Sequence, residues 1–154
     1  IKISQKHIFN PANFGVLIAS IIFGAAHSWW VSSPKLLVVL FGLFIIWRLR
    51  RFDLAFSFLI SYYLINSIIE FANGAAFQDA YFAVLNGGVV YFFSMFMLIE
   101  PKTQPSAGEQ RIVYGVLIAV LFIILHFYIP KYDLPLALAI GNVFVPVLNR
   151  IRLG

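Results

Sequence analysis

The chain has 154 residues, of which 62% are hydrophobic and 11% charged, and carries a net charge of +5. A mean hydropathy of +0.92 puts it outside the range of soluble domains. The absence of cysteine excludes disulfides, thiolate zinc sites, Cys-ligated iron–sulfur clusters and cysteine nucleophiles. Its basic residues are scattered between apolar runs rather than gathered in a stripe, so nucleic acid is not an expected partner and the lipid bilayer is.

The chain opens with "KHIFNPANFG", residues 6–15, a polar cluster ahead of the first apolar run. Asn10 is placed to cap a first helix, with Pro11 fixing φ in the first turn. The same amides have a second use. Non-helical backbone at membrane depth persists where it lines a protein cavity, and Asn side chains both donate to and accept from a flat heterocycle.

Six apolar segments follow, roughly 13–31, 36–47, 54–71, 80–99, 112–129 and 134–148. Most approach the ~20 residues that cross ~30 Å of hydrocarbon, and only helices satisfy their own backbone there. The expectation is an all-α, polytopic membrane bundle of about six transmembrane helices, with residues 1–154 forming a single membrane domain. If all six cross, nine of the eleven Lys and Arg fall on one side and two, Lys35 and Lys131, on the other. The positive-inside rule then makes both termini cytoplasmic. Trp29, Trp30, Trp47 and Tyr128 sit near expected span ends, as interfacial aromatics do. Gly87, Gly88, Ala137, Ala139 and Gly141 would let helix backbones approach closely.

Among residues inside the spans, Asn66, Asn86 and Asn142 are expected to hydrogen-bond between helices. Glu70 is expected either to reach the interface or to handle protons or cations. His27 and His126 lie towards the same ends of segments that run in the same direction, which leaves a bis-histidine haem site as an alternative. Between the fourth and fifth segments, "EPKTQPSAGEQR" (100–111) is polar and Pro-bounded, on the same expected side as Asn10 and Asn13. Lys102 in this hinge could stabilise negative charge on a reduced ring. No Gly-rich phosphate loop, paired acids or Ser-His-Asp order stands out, so hydrolysis has little support.

Three stretches, "KHIFNPANFG" (6–15), "FFSMFMLIEPKTQP" (92–105) and "YGVLIAVLFIILHFYIPKYDLPLALAIGNVFVPVLN" (114–149), together carry a resemblance. The chain resembles the NqrB/RnfD family of membrane flavoproteins, which belong to the sodium-pumping NADH:quinone oxidoreductase and to the Rnf electron-transport complex, and it is similar also to the shorter UnbU-like relatives. The resemblance implies a bundle of two inverted halves in a prokaryotic plasma membrane, passing electrons among other subunits of a redox complex. It implies a riboflavin or FMN held non-covalently by Asn10 and Asn13, with Phe14 as a ring contact and Lys102 and Thr103 contributing from the hinge.

Two departures from the family pattern matter. Larger members attach FMN to a Thr in a Ser/Thr-Gly-Ala-Thr motif, whereas the sole Thr here is Thr103, in "PKTQP". Covalent attachment by that route is not expected. The family bundle has about ten helices, so the chain is read either as a reduced relative or as one lacking upstream helices. The competing reading is a non-redox scaffold, assembly subunit or small-solute pore, in which the polar motifs only pin helices.

Overall fold

The computed structural model describes residues 2–3, 6–24, 34–76 and 87–151. Two short strands, β1 (Lys2–Ile3) and β2 (Lys6–His7), pair antiparallel ahead of the helices. The described residues then form α1 (Pro11–Phe23), α2 (Lys35–Leu49), α3 (Phe52–Ala72), α4 (Gly88–Phe92, continued as a π-helix over Phe93–Met97), α5 (Gly108–Tyr128) and α6 (Asp133–Leu148).

Within the described residues α1 ends at Phe23, where Gly24 adopts a left-handed φ of 63°, and α4 begins at Gly88, after Gly87 at φ −72°, ψ 83°. The rest of the expected first and fourth segments, residues 25–31 and 80–86, lies outside the described residues. Trp29, Trp30, His27 and Asn86 lie outside the described residues. By length and composition α3 and α5, with 21 residues each, can cross a membrane; α1 and α6 are shorter apolar helices.

The surface is that of a membrane bundle. Along α3, Ile60, Leu64, Ile68 and Phe71 recur at helical spacing and point outward, while Asn10, Asn13, Thr103, Gln104 and Asn142 are buried. Apolar side chains meet apolar lipid at no cost, and polar groups gain by finding partners inside.

Packing centres on α5, which lies against α3 on one side and α6 on the other; α4 and its π turn join α2, and α1 packs on α6. Phe58, Phe93, Tyr114 and Ile118 fill the core, with Phe58 and Phe93 ring centroids 5.3 Å apart.

The α3–α5 crossing depends on Gly115. A Cβ there would meet Ser57 Oγ and come within 2.9 Å of Leu54 O and 3.0 Å of Phe58 N, so α3 backbone lies directly against α5. Gly115→Ala must push the helices apart, because backbone cannot turn aside as a side chain can. We expect it to destabilise the protein by about 1–3 kcal/mol, read as a lower thermal midpoint in detergent. Gly141 also makes a close approach, but to the side chains of Ile118 and Tyr114 rather than to backbone.

Side-chain bonds define the two ends of the bundle. At the basic end Arg111 Nε and Nη2 reach Asp53 Oδ2 at 2.8 and 2.6 Å, joining the starts of α5 and α3. Burial pulls the pKa of the neighbouring Arg51 below its ordinary value, with the charge of Arg111 adding to the effect and Asp53 opposing it. Ser106 N and Oγ both donate to Asn149 Oδ1, and Gln110 Nε2 donates to Ile151 O, tying the hinge to the end of α6. At the opposite end, Lys131 Nζ donates to Gly24 O at 3.2 Å and the Tyr132 hydroxyl to Ser20 O at 3.4 Å.

Candidate functional site

The start of α1 is built as its sequence suggests. Asn10 Oδ1 accepts from Asn13 N at 3.1 Å, which satisfies one of the donors every helix start leaves free, and Pro11 has no donor to satisfy. The other half of the Asn10 amide leaves the helix: Nδ2 donates to Met97 O at 3.2 Å. Met97 ends the π-helix, where carbonyls lack partners in the next turn, and a π turn widens the helix just where the chain enters the hinge.

Asn13 is almost fully buried and its Nδ2 donates to Pro135 O at 2.9 Å, pinning α1 to α6 across 122 residues of sequence. Asn142 completes the connection. Its amide orientation follows from its neighbours: the oxygen accepts from Asn10 N at 3.3 Å, and the nitrogen donates to the Tyr114 hydroxyl at 2.6 Å and to Thr103 O at 3.2 Å. One side chain thus joins α1, α5, α6 and the hinge. Pro146, four residues on, lacks the N–H that would occupy the Asn142 backbone carbonyl, so that carbonyl is freed at the same place.

The hinge folds onto this cluster. Gln104 Nε2 donates to Ile99 O at 3.0 Å, and Thr103 Oγ1 lies 3.4 Å from Glu100 Oε2. Two buried acceptors, Asn13 Oδ1 and Gln104 Oε1, have no donor among the described residues.

Beside the cluster lies an open groove of about 440 Å³, lined by Asn10, Pro11 and Ala12, by Ile45 and Leu49, and by Phe96, Ile99, Glu100 and Pro101. Small organic cofactors occupy clefts of this size, mostly apolar with a few polar groups. The first stretch and the hinge, separated by some ninety residues of sequence, form its two walls.

The site residues expected from sequence do not all face this groove. Asn10 lines it and Asn13 lies one turn further into the bundle. Phe14 is half-buried and stacks on Phe9, with ring centroids 4.7 Å apart, rather than standing free. Thr103 is buried against Glu100 and Asn142, while Lys102 is exposed on the hinge beside Pro101. Sequence reasoning missed Tyr114 and the carbonyls of Met97 and Pro135. A tyrosine in an apolar run carries no mark of its partner, and a carbonyl belongs to every residue.

A match to the NQR2, RnfD, RnfE family spans residues 18–153. The chain belongs to this family. Its members are membrane subunits of redox complexes, which makes the chain a membrane protein of electron transport. For a family member, the matched region includes the hinge with Lys102 and Thr103 and the hub at Asn142, and it begins within α1, beyond Asn10, Asn13 and Phe14. Whatever role those three have therefore rests on their geometry.

The other end of this family member presents different chemistry. Asn66, Glu70 and Asn73 line a cavity of about 300 Å³ with Tyr62, Phe122 and His126. His126 Nδ1 lies 2.8 Å from Asp133 Oδ2, a local partner, while His27 lies outside the described residues. No bis-histidine arrangement and no cluster of three or more metal-ligating side chains is present among the described residues.

Proposed function

We propose that the chain is an electron-transfer subunit that holds a riboflavin or FMN non-covalently at the basic, cytoplasmic end of the bundle, in a prokaryotic plasma membrane. The observation that carries this reading is the groove in which the Asn10–Pro11–Ala12 start of α1 faces the Glu100–Pro101 hinge. Its apolar wall of Ile45, Leu49, Phe96 and Ile99 suits a flat aromatic ring.

A bound flavin supplies the electron-carrying chemistry, accepting and releasing one or two electrons. The chain supplies the rest. Asn10, held by its bonds to Asn13 N and Met97 O, keeps the mouth of the groove in one shape. Phe9 and Phe14, which flank the Asn10–Ala12 segment in sequence, stack on each other. Lys102, on the exposed face of the hinge, brings a positive charge near the groove and lowers the cost of placing negative charge there. Thr103 acts through the hinge, because its hydroxyl and carbonyl are engaged by Glu100 and Asn142. The electron donor and acceptor would be other subunits of the complex.

The experiment is direct. The protein is purified with its partners, its cofactors are extracted, and absorption and fluorescence are recorded. Flavin in stoichiometric, acid-extractable amount is the expected outcome, and its complete absence overturns the reading.

A second reading has its own support: both Asn side chains are engaged in bonds that a pure scaffold would need, to Met97 O and Pro135 O. A scaffold loses stability when these bonds are cut, with no flavin to lose.

A further inference from the structure

The turn between α2 and α3, "WRLRRF" (47–52), ends α2 in an unusual way. Arg51 N donates to Ile46 O at 3.1 Å and Arg50 N to Trp47 O at 3.2 Å, which is the bonding of a Schellman-type helix end. That motif places one residue in the left-handed region, and glycine normally fills it because a Cβ is strained there. Here the residue is Arg50, at φ 54°. Among the described residues it is the sole non-glycine with positive φ; the other two such positions are Gly24 and Gly74. The fold thus keeps an arginine where glycine would be easier, which points to a use for the side chain.

Arg50, Arg48 and Trp47 surround a pocket of about 160 Å³. Both arginines are exposed, and neither is in an ion pair with a described residue, since Asp53 is taken by Arg111. Two guanidinium groups and an indole N–H around one small pocket form a donor set for a phosphate.

The surface leading to the pocket separates a lipid from a free anion. α2 buries Val38, Gly42 and Ile46, while Leu40, Phe44 and Trp47 on its opposite face are 55%, 59% and 63% exposed. This apolar stripe runs along the helix and stops at the two arginines. An apolar track that ends in cations at the basic end of a membrane bundle complements acyl chains that end in an anionic headgroup.

We infer that the α2–α3 turn is a binding site for an anionic phospholipid, whose phosphate sits among Trp47, Arg48 and Arg50 and whose chains lie along Leu40 and Phe44. The site is separate from the groove beside Asn10.

The test uses the full chain reconstituted in phosphatidylcholine vesicles carrying trace spin-labelled phosphatidylglycerol or phosphatidylcholine. The immobilised fraction of each label gives the selectivity. The wild-type chain should favour phosphatidylglycerol, and Arg50→Gly should reduce that preference about fivefold, the scale of one cation at a membrane surface. The thermal midpoint of Arg50→Gly should stay level or rise, because glycine relieves the strained φ. Loss of selectivity with an intact fold supports the site, and Arg48→Gln should lower it further in the double variant. Selectivity unchanged in Arg50→Gly overturns it. Selectivity abolished by inorganic phosphate, but not by chloride at equal ionic strength, also overturns it and assigns the pocket to a free anion.

Discussion

Asn10→Ala should lose at least about nine-tenths of its bound flavin while remaining folded. The substitution removes the cap on Asn13 N and the bond to Met97 O together. Loss of an N-cap costs about 1 kcal/mol, which most membrane bundles survive. The groove is affected more than the fold, because Asn10 lines it and also holds the hinge-side carbonyl that shapes it. A fall from nearly full to about one-tenth occupancy corresponds to a site roughly a hundredfold weaker, about 2.7 kcal/mol in binding. The measurement is flavin per protein after purification, set beside the thermal midpoint of the same sample. Flavin loss with a near-normal midpoint supports cofactor binding. A midpoint collapse in a protein that never held flavin supports the scaffold reading.

Asn142→Leu should have the largest effect on stability, about 2–5 kcal/mol, because a side chain of similar size removes three hydrogen bonds at once and leaves their partners stranded. Asn10 N, Thr103 O and the Tyr114 hydroxyl all lie within reach of this amide, and Asn142 is 1% exposed. A buried group left without its partner costs about 1–3 kcal/mol, more than an average hydrogen bond contributes. Tyr114→Phe removes just one of these contacts and should cost about 1 kcal/mol. A double-mutant cycle on the two positions should give strongly non-additive losses, since Tyr114 has no partner left to lose once Asn142 is gone. Additive losses would mean that the two side chains do not share the bond. Thermal unfolding in detergent, followed by circular dichroism, measures all three variants.

Much of the architecture was legible because it rests on signals local to each segment. Long apolar runs demand helices in lipid whatever their neighbours are. The ends of α1 and α4 at Gly24 and Gly87 were not read, because the apolar runs continue through both glycines. Asn10 could be read as a cap because a cap bonds three residues ahead on the same chain, and it does. Asn142 was legible only in kind: an amide in a membrane helix needs a partner, and which partner depends on α1, α5 and the hinge arriving together. Gly115 was not legible, because its meaning lies in the backbone of α3, about sixty residues earlier.

The sequence by itself determined that the chain is a helical membrane protein, where its polar residues would be concentrated, and which family it resembles. Each of these follows from composition, from the reach of hydrogen bonds along one segment, or from quoted motifs. Only the tertiary structure decided that Asn13 spends its amide on Pro135, that Asn10 holds the π turn at Met97, and that Arg50 occupies a glycine conformation beside Arg48. Those outcomes depend on which carbonyls and charges other elements leave unpaired once packed, and no segment carries that information alone.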